Sequence, residues 1–149
     1  MRFEYAFFAQ GADVVEGRLH VFGGDINSLT VPTLPARAQI AIVVKFVAEP
    51  DENGVVLARG HRLFLQFVRP QKSPETLIAE QDFSAQARSD NKVSGAAIIA
   101  NCGFQFDEAG EHRVNIFLDD NLVHSLPLYI EAQTQDVVKQ TSGFLAEAR

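Results

Sequence analysis

Proton, metal and nucleophile chemistry at neutral pH draws on few residues here: four histidines, one cysteine and scattered pairs of acids. His20, His61, His112 and His124 include no His-x-His or His-x-x-x-His pair, and Cys102 stands alone. The ligand spacing of a zinc site is therefore missing, and each histidine is expected as a hydrogen-bonded strand residue. Cys102 reads as a small hydrophobe, and without a second cysteine it makes no intramolecular disulfide. Asp25, Asp51-Glu52, Asp107-Glu108 and Asp119-Asp120 become calcium candidates only if their turns meet at one end of the molecule, which alternating strands restrict. Gly23-Gly24-Asp25 invites comparison with a phosphate cradle. A cradle needs a helix after it, and the following Ile26-Asn27-Ser28-Leu29-Thr30-Val31 is rich in β-formers, so a turn is expected. Ser94-Gly95 lacks the Gly-x-Ser-x-Gly elbow and its strand-to-helix context. No catalytic, cofactor-binding or metal-binding residue is assigned, no cofactor is expected, and a non-catalytic role is favoured over an enzyme.

Arg59, His61, Arg62, Arg69 and Lys72 form the one basic concentration, expected as solvated strand ends. A net charge of -6 and a pI near 5.1 argue against nucleic acid, whose binding depends on basic surface. The absence of Trp lowers the odds of a sugar-stacking platform, while twelve Phe leave room for an apolar pocket.

The clearest positioning element is residues 110–130. His112, Val114, Ile116 and Leu118 alternate with Glu111, Arg113, Asn115 and Phe117, and Leu122, His124, Leu126, Leu128 and Ile130 repeat the pattern, as strands with one buried face do. A three-residue loop Asp119-Asp120-Asn121, with Asn121 left-handed, would pair Leu118 with Leu122, Ile116 with His124 and Val114 with Leu126. His112 and His124 would then share the face of Val114, Ile116 and Leu126.

Elsewhere, residues 2–9 form a strand that is apolar on both faces, 10–16 a loop, and 17–22 and 26–31 a hairpin turned by Gly23-Gly24-Asp25. Pro32-Thr33-Leu34-Pro35 is a rigid connector. Residues 37–47 are expected as a central strand. Residues 55–58 pair briefly, 60–69 and 76–83 are strands, and 84–91 is the most polar stretch. Residues 92–100 form a strand of small residues, with a short strand over 101–106. Residues 133–140 and 144–149 are helix-compatible, separated by Ser142-Gly143.

Tyr5-Ala6, Gly17-x-Leu19, Gly23-Gly24, Pro32-x-Leu34-Pro35 and Phe106-x-x-x-Gly110-x-x-x-Val114 together resemble a bacterial protein family without assigned function. The closing hairpin also resembles the last two strands of immunoglobulin-like sandwiches, where an aromatic often follows the turn glycine by two residues; His112 stands there. These resemblances imply a β-sandwich and bring no functional residue.

About eight to ten strands with turn signals and no helical periodicity predict an all-β, antiparallel, immunoglobulin-like sandwich over residues 1–131, with a β-barrel as the alternative. Residues 132–149 form a tail, arm or short helix. No export leader or membrane span of ~18 apolar residues is read, and the lone thiol suits the cytoplasm. The expected role is a protein-interaction or structural module, with self-association suggested by the two-faced apolar strands. A small apolar ligand is the alternative, and neither nucleic acid nor membrane is an expected partner.

Overall fold

Ile40, Ile42, Val44 and Phe46 make one side of a strand that is at most 3% exposed, while Ala41 and Val43 on its other side are equally shielded. A run apolar on both faces belongs between other strands. It lies there in the computed structural model, which describes residues 1–50, 52–53, 60–71, 76–84 and 95–133.

Nine strands occur among these residues: β1 (Arg2–Val15), β2 (Arg18–Ile26), β3 (Ser28–Val31), β4 (Ala36–Val47), β5 (Gly60–Val68), β6 (Thr76–Ser84), β7 (Gly95–Phe106), β8 (Gly110–Leu118) and β9 (Asn121–Ala132). One sheet has the order β2-β1-β4-β7 and the other β3-β9-β8-β5-β6. The two pack as the all-β sandwich predicted from strand spacing. Inward side chains of both sheets meet in one core, with Phe8, Phe46 and Phe106 from the first against Leu63, Leu65, Ile116, Leu128 and Ile130 from the second. Each such side chain contributes about 1.5–3 kcal/mol by leaving water. Phe67 contacts Phe104 and Phe106 edge-on at centroid distances of 5.1 and 6.1 Å, a favoured aromatic geometry.

Several sequence expectations change. Residues 10–15 are not a loop but the continuation of β1, because Gly11 to Val15 pair across to β2 and close on a Glu16-Gly17 turn. Both turn residues have positive φ, 52° and 73°, as a two-residue hairpin turn requires. Gly23-Gly24-Asp25 is not a hairpin turn: β2 runs through it, and Asp25, at φ 59°, is the extra residue of a bulge opposite Phe8 and Ala9. The chain instead changes sheet at Asn27, and β3 pairs parallel to β9, an exception to the antiparallel pattern. Pro32-Thr33-Leu34-Pro35, with a cis Leu34-Pro35 bond, then bends from the second sheet back to β4 in the first. The strands expected over 92–100 and 101–106 form the single β7 from Gly95 onward.

In the closing hairpin Ile116 pairs with His124 and Val114 with Leu126, as predicted. The predicted Leu118–Leu122 pair does not form; Leu118 pairs with Asn121 and Phe117 with Leu122. The turn is Asp119-Asp120, with φ of 49° and 67°, and Val123 is the extra residue that restores register past the bulge. A three-residue loop and a two-residue turn followed by a bulge add the same offset, so alternation alone could not separate them.

The pairing expected over 55–58, most of the polar stretch 84–91, and the tail beyond Gln133 fall outside the described residues.

Candidate functional site

β1 pairs with β4 only from Arg2 to Ala9, and Ala9 opposite Ala41 is the last match. Its pairing with β2 continues to Val15 opposite Arg18. Beyond Ala9 these two strands therefore leave the sheet as a ribbon. The ribbon carries Val14, Val15, Val21 and Phe22 at 45, 48, 40 and 72% exposure, an unusual concentration of large apolar side chains in water. An open apolar groove of about 430 Å³ lies at its root between Tyr5, Ala6, Phe7, Val21, Gly24 and Asp25. Gly23 has φ 58°, and an added Cβ would fall 2.8 Å from the Gln10 side chain, so the ribbon's root is built for glycine.

The same departure opens the edge of β4. Residues 36–40 pair with β7 through Phe106 to Cys102, and among the described residues no strand meets their other side. A second groove, of about 400 Å³, runs along Arg37, Ala38, Gln39, Gly103, Phe104 and Gln105. Backbone donors and acceptors on an open edge can add a strand from elsewhere, and apolar ribbon side chains can fill a cleft; both are recognition chemistry rather than bond making. The ribbon escaped the sequence reading because Gly11 and Asp13 look like loop residues. Glu16-Gly17 between Val14-Val15 and Leu19 was the hairpin signal available.

The residues considered for chemistry are dispersed. His20 is exposed on the ribbon, and His124 stacks on Phe3 with centroids 4.8 Å apart. His61 Nδ1 donates to Asp119 Oδ2 at 2.6 Å, the Arg62 amide donates to Asp119 Oδ1 at 2.9 Å, and the Asp119 amide donates to the Arg62 carbonyl at 3.0 Å. Asp119 thus clamps the β8–β9 turn onto β5. Asp107-Glu108 and Asp119-Asp120 lie at opposite ends of β8, so those acidic turns do not converge. Asp51 is outside the described residues, and among the described ones no three His, Cys, Asp or Glu side chains are placed to hold a metal ion.

His112 is fully buried on the face of Val114 and Ile116. Its Nδ1 donates to the Gly110 carbonyl at 3.1 Å, while its ring stacks on Phe67 and meets Phe106 edge-on. Burial lowers its pKa, against the raising effects of the Gly110 carbonyl, Glu108 and Asp107; Arg69 adds to the lowering. Cys102 is buried with its thiol pKa pushed up by desolvation, the condition of an inert structural thiol. In the basic stretch, Arg62 pairs with Glu80 at 2.7 Å and Asp82 at 3.5 Å, and the Arg69 guanidinium lies 5.1 Å from the Phe67 ring centre. Arg59 and Lys72 are outside the described residues.

Residues 4–131 match the Family of unknown function (DUF6941). The chain belongs to this family. The match spans every strand of the sandwich except the first residues of β1 and the last of β9, and it takes in both the ribbon and the open β4 edge. No curated protein matches the sequence. Solved structures similar to this DUF6941 chain include the beta-glucosidase from Listeria innocua in complex with glucose, at 12% identity and a TM-score of 0.48 over 71% of this chain and 15% of that one. The same enzyme in complex with isofagomine gives 11% and 0.44, over 89% of this chain and 16% of that one. With gluconolactone the values are 14% and 0.38, over 70% of this chain and 14% of that one. The chain thus spans about a sixth or less of those structures. Among the described residues no helix is long and apolar enough to cross a membrane.

Proposed function

We propose that this DUF6941 chain is a non-catalytic β-sandwich module that works through protein contacts. The observation that carries the reading is the β1–β2 ribbon, which holds Val14, Val15, Val21 and Phe22 in water beside a strand edge that no described residue pairs with. Exposed apolar area of this kind costs solubility unless a partner covers it. The partner is a protein rather than nucleic acid or membrane, in keeping with the acidic net charge of -6. Immunoglobulin-like sandwiches use edges and end loops in the same way, and the lone buried Cys102 suits a cytoplasmic setting.

Affinity purification of the native protein beside Phe22→Asp tests the reading. A specific protein retained by the wild type and lost from the variant supports it. Identical, empty profiles together with a monomeric wild type overturn it.

A small apolar ligand is the second reading, favoured by the groove between Tyr5, Phe7 and Val21. Saturable binding of a fatty acyl or aromatic probe that Val21→Asp abolishes would select it over protein contact.

A further inference from the structure

The protein-contact reading leaves the partner's nature open, and on that reading we propose that the partner is a second copy of this chain. Each protomer lays its ribbon along the vacant edge of β4, residues 36–40, in the other. Ribbon and vacancy have one origin, the departure of β1 from β4 after Ala9 opposite Ala41. The strand segment that leaves, Gly11 to Val15, is therefore matched in length to the edge it vacates. Among the described residues, one chain holds both a projecting strand with an unpaired side and an unpaired edge of the same extent.

Area supports reciprocity. Val14, Val15, Val21 and Phe22 together expose roughly 350 Å² of side chain per protomer, given the usual size of such residues. A single ribbon seated on one edge would bury at most roughly 700 Å² in total, the size of a weak lattice contact. Two reciprocal seatings reach at most roughly 1,400 Å², within the range of a stable complex. Charge agrees in sign: exposed Arg37 sits on the vacant edge, and the ribbon brings Asp13 and Glu16 against one cation, Arg18. A reciprocal exchange is isologous, so it closes as a two-fold dimer that pairs the vacated β4 segment of each protomer instead of propagating through it.

Sedimentation of the full chain at tens of micromolar, combined with amide hydrogen exchange, tests this. The wild type is expected as a dimer in which those amides of residues 36–40 that point away from β7 exchange slowly. Phe22→Asp, at an exposed position the core does not use, is expected to keep the unfolding midpoint of the protomer. It should weaken the dimer by about 30-fold or more, the loss typical of an interface anchor, and speed exchange at those amides. Arg37→Glu should weaken the dimer to a smaller degree.

A wild type that stays monomeric overturns the proposal. If in that case another protein is still captured through Phe22, the protein-contact reading survives and only the second copy falls. A dimer indifferent to Phe22→Asp and Val14→Asp overturns the proposal too, because the interface then lies elsewhere. So does slow exchange at those amides of residues 36–40 in a monomer that becomes fast on truncation after Gln133, since the chain's own C-terminal segment would then cover the edge.

Discussion

His112 shows how a residue that looks like chemistry becomes part of a core. Its ring fills space between Phe67 and Phe106, and one nitrogen finds the Gly110 carbonyl. The other nitrogen, Nε2, is buried without a hydrogen-bond partner, so a charged imidazolium there would be poorly solvated. Burial holds the folded pKa below the ordinary value of 6.5 despite the opposing Gly110, Glu108 and Asp107, with Arg69 acting in the same direction as burial. The unfolded chain therefore takes up a proton more readily than the folded one as pH falls through about 6.5. Its contribution to stability is complete above that pH and declines below it until the folded group also protonates. Urea unfolding midpoints should fall between pH 7 and pH 5, and His112→Phe should flatten that part of the profile. Cys102 gives the companion expectation. With its thiol buried and its pKa raised, reaction with an aromatic disulfide reagent should be on the order of 100-fold slower in the native protein than in urea. A fast native reaction would mean that β7 opens readily.

At the scale of elements, the Asp119-Asp120 turn is held by more than its backbone. Asp119 adopts a left-handed φ of 49°, which glycine would accept more easily, yet its carboxylate receives His61 Nδ1 and the Arg62 amide. Asp119→Gly should therefore destabilise the protein by about 1–2 kcal/mol even though it relieves the backbone, because two hydrogen bonds to a charged acceptor disappear at a half-exposed site. Asp120→Gly, at φ 67°, lacks that loss and should change the midpoint little. Equal effects of the two substitutions would show that turn geometry, rather than the clamp to β5, sets the stability of this end.

At the scale of the whole molecule, the sandwich has a buried apolar core and an apolar projection, and the two should respond differently to truncation. Phe67 is 2% exposed among Phe104, Phe106 and His112, so Phe67→Ala should cost about 3–5 kcal/mol through lost burial and the cavity left behind. Phe22 is 72% exposed, so Phe22→Ala should change protomer stability by less than about 0.5 kcal/mol in dilute solution. Its effect belongs to association.

The sequence by itself determined the all-β class, the central place of β4, the faces of β8 and β9 and the pairing of Ile116 with His124, because alternation with period 2 records which side of each strand leaves water. It did not determine where strands end. Gly11, Asp13 and Gly23-Gly24-Asp25 carry turn chemistry locally, and only cross-strand pairing with β2 kept them extended. Nor did it determine which edges stay open. That depends on where β1 parts from β4, a balance between two competing neighbours far apart in the chain, and so the tertiary structure alone revealed the ribbon and the vacant edge.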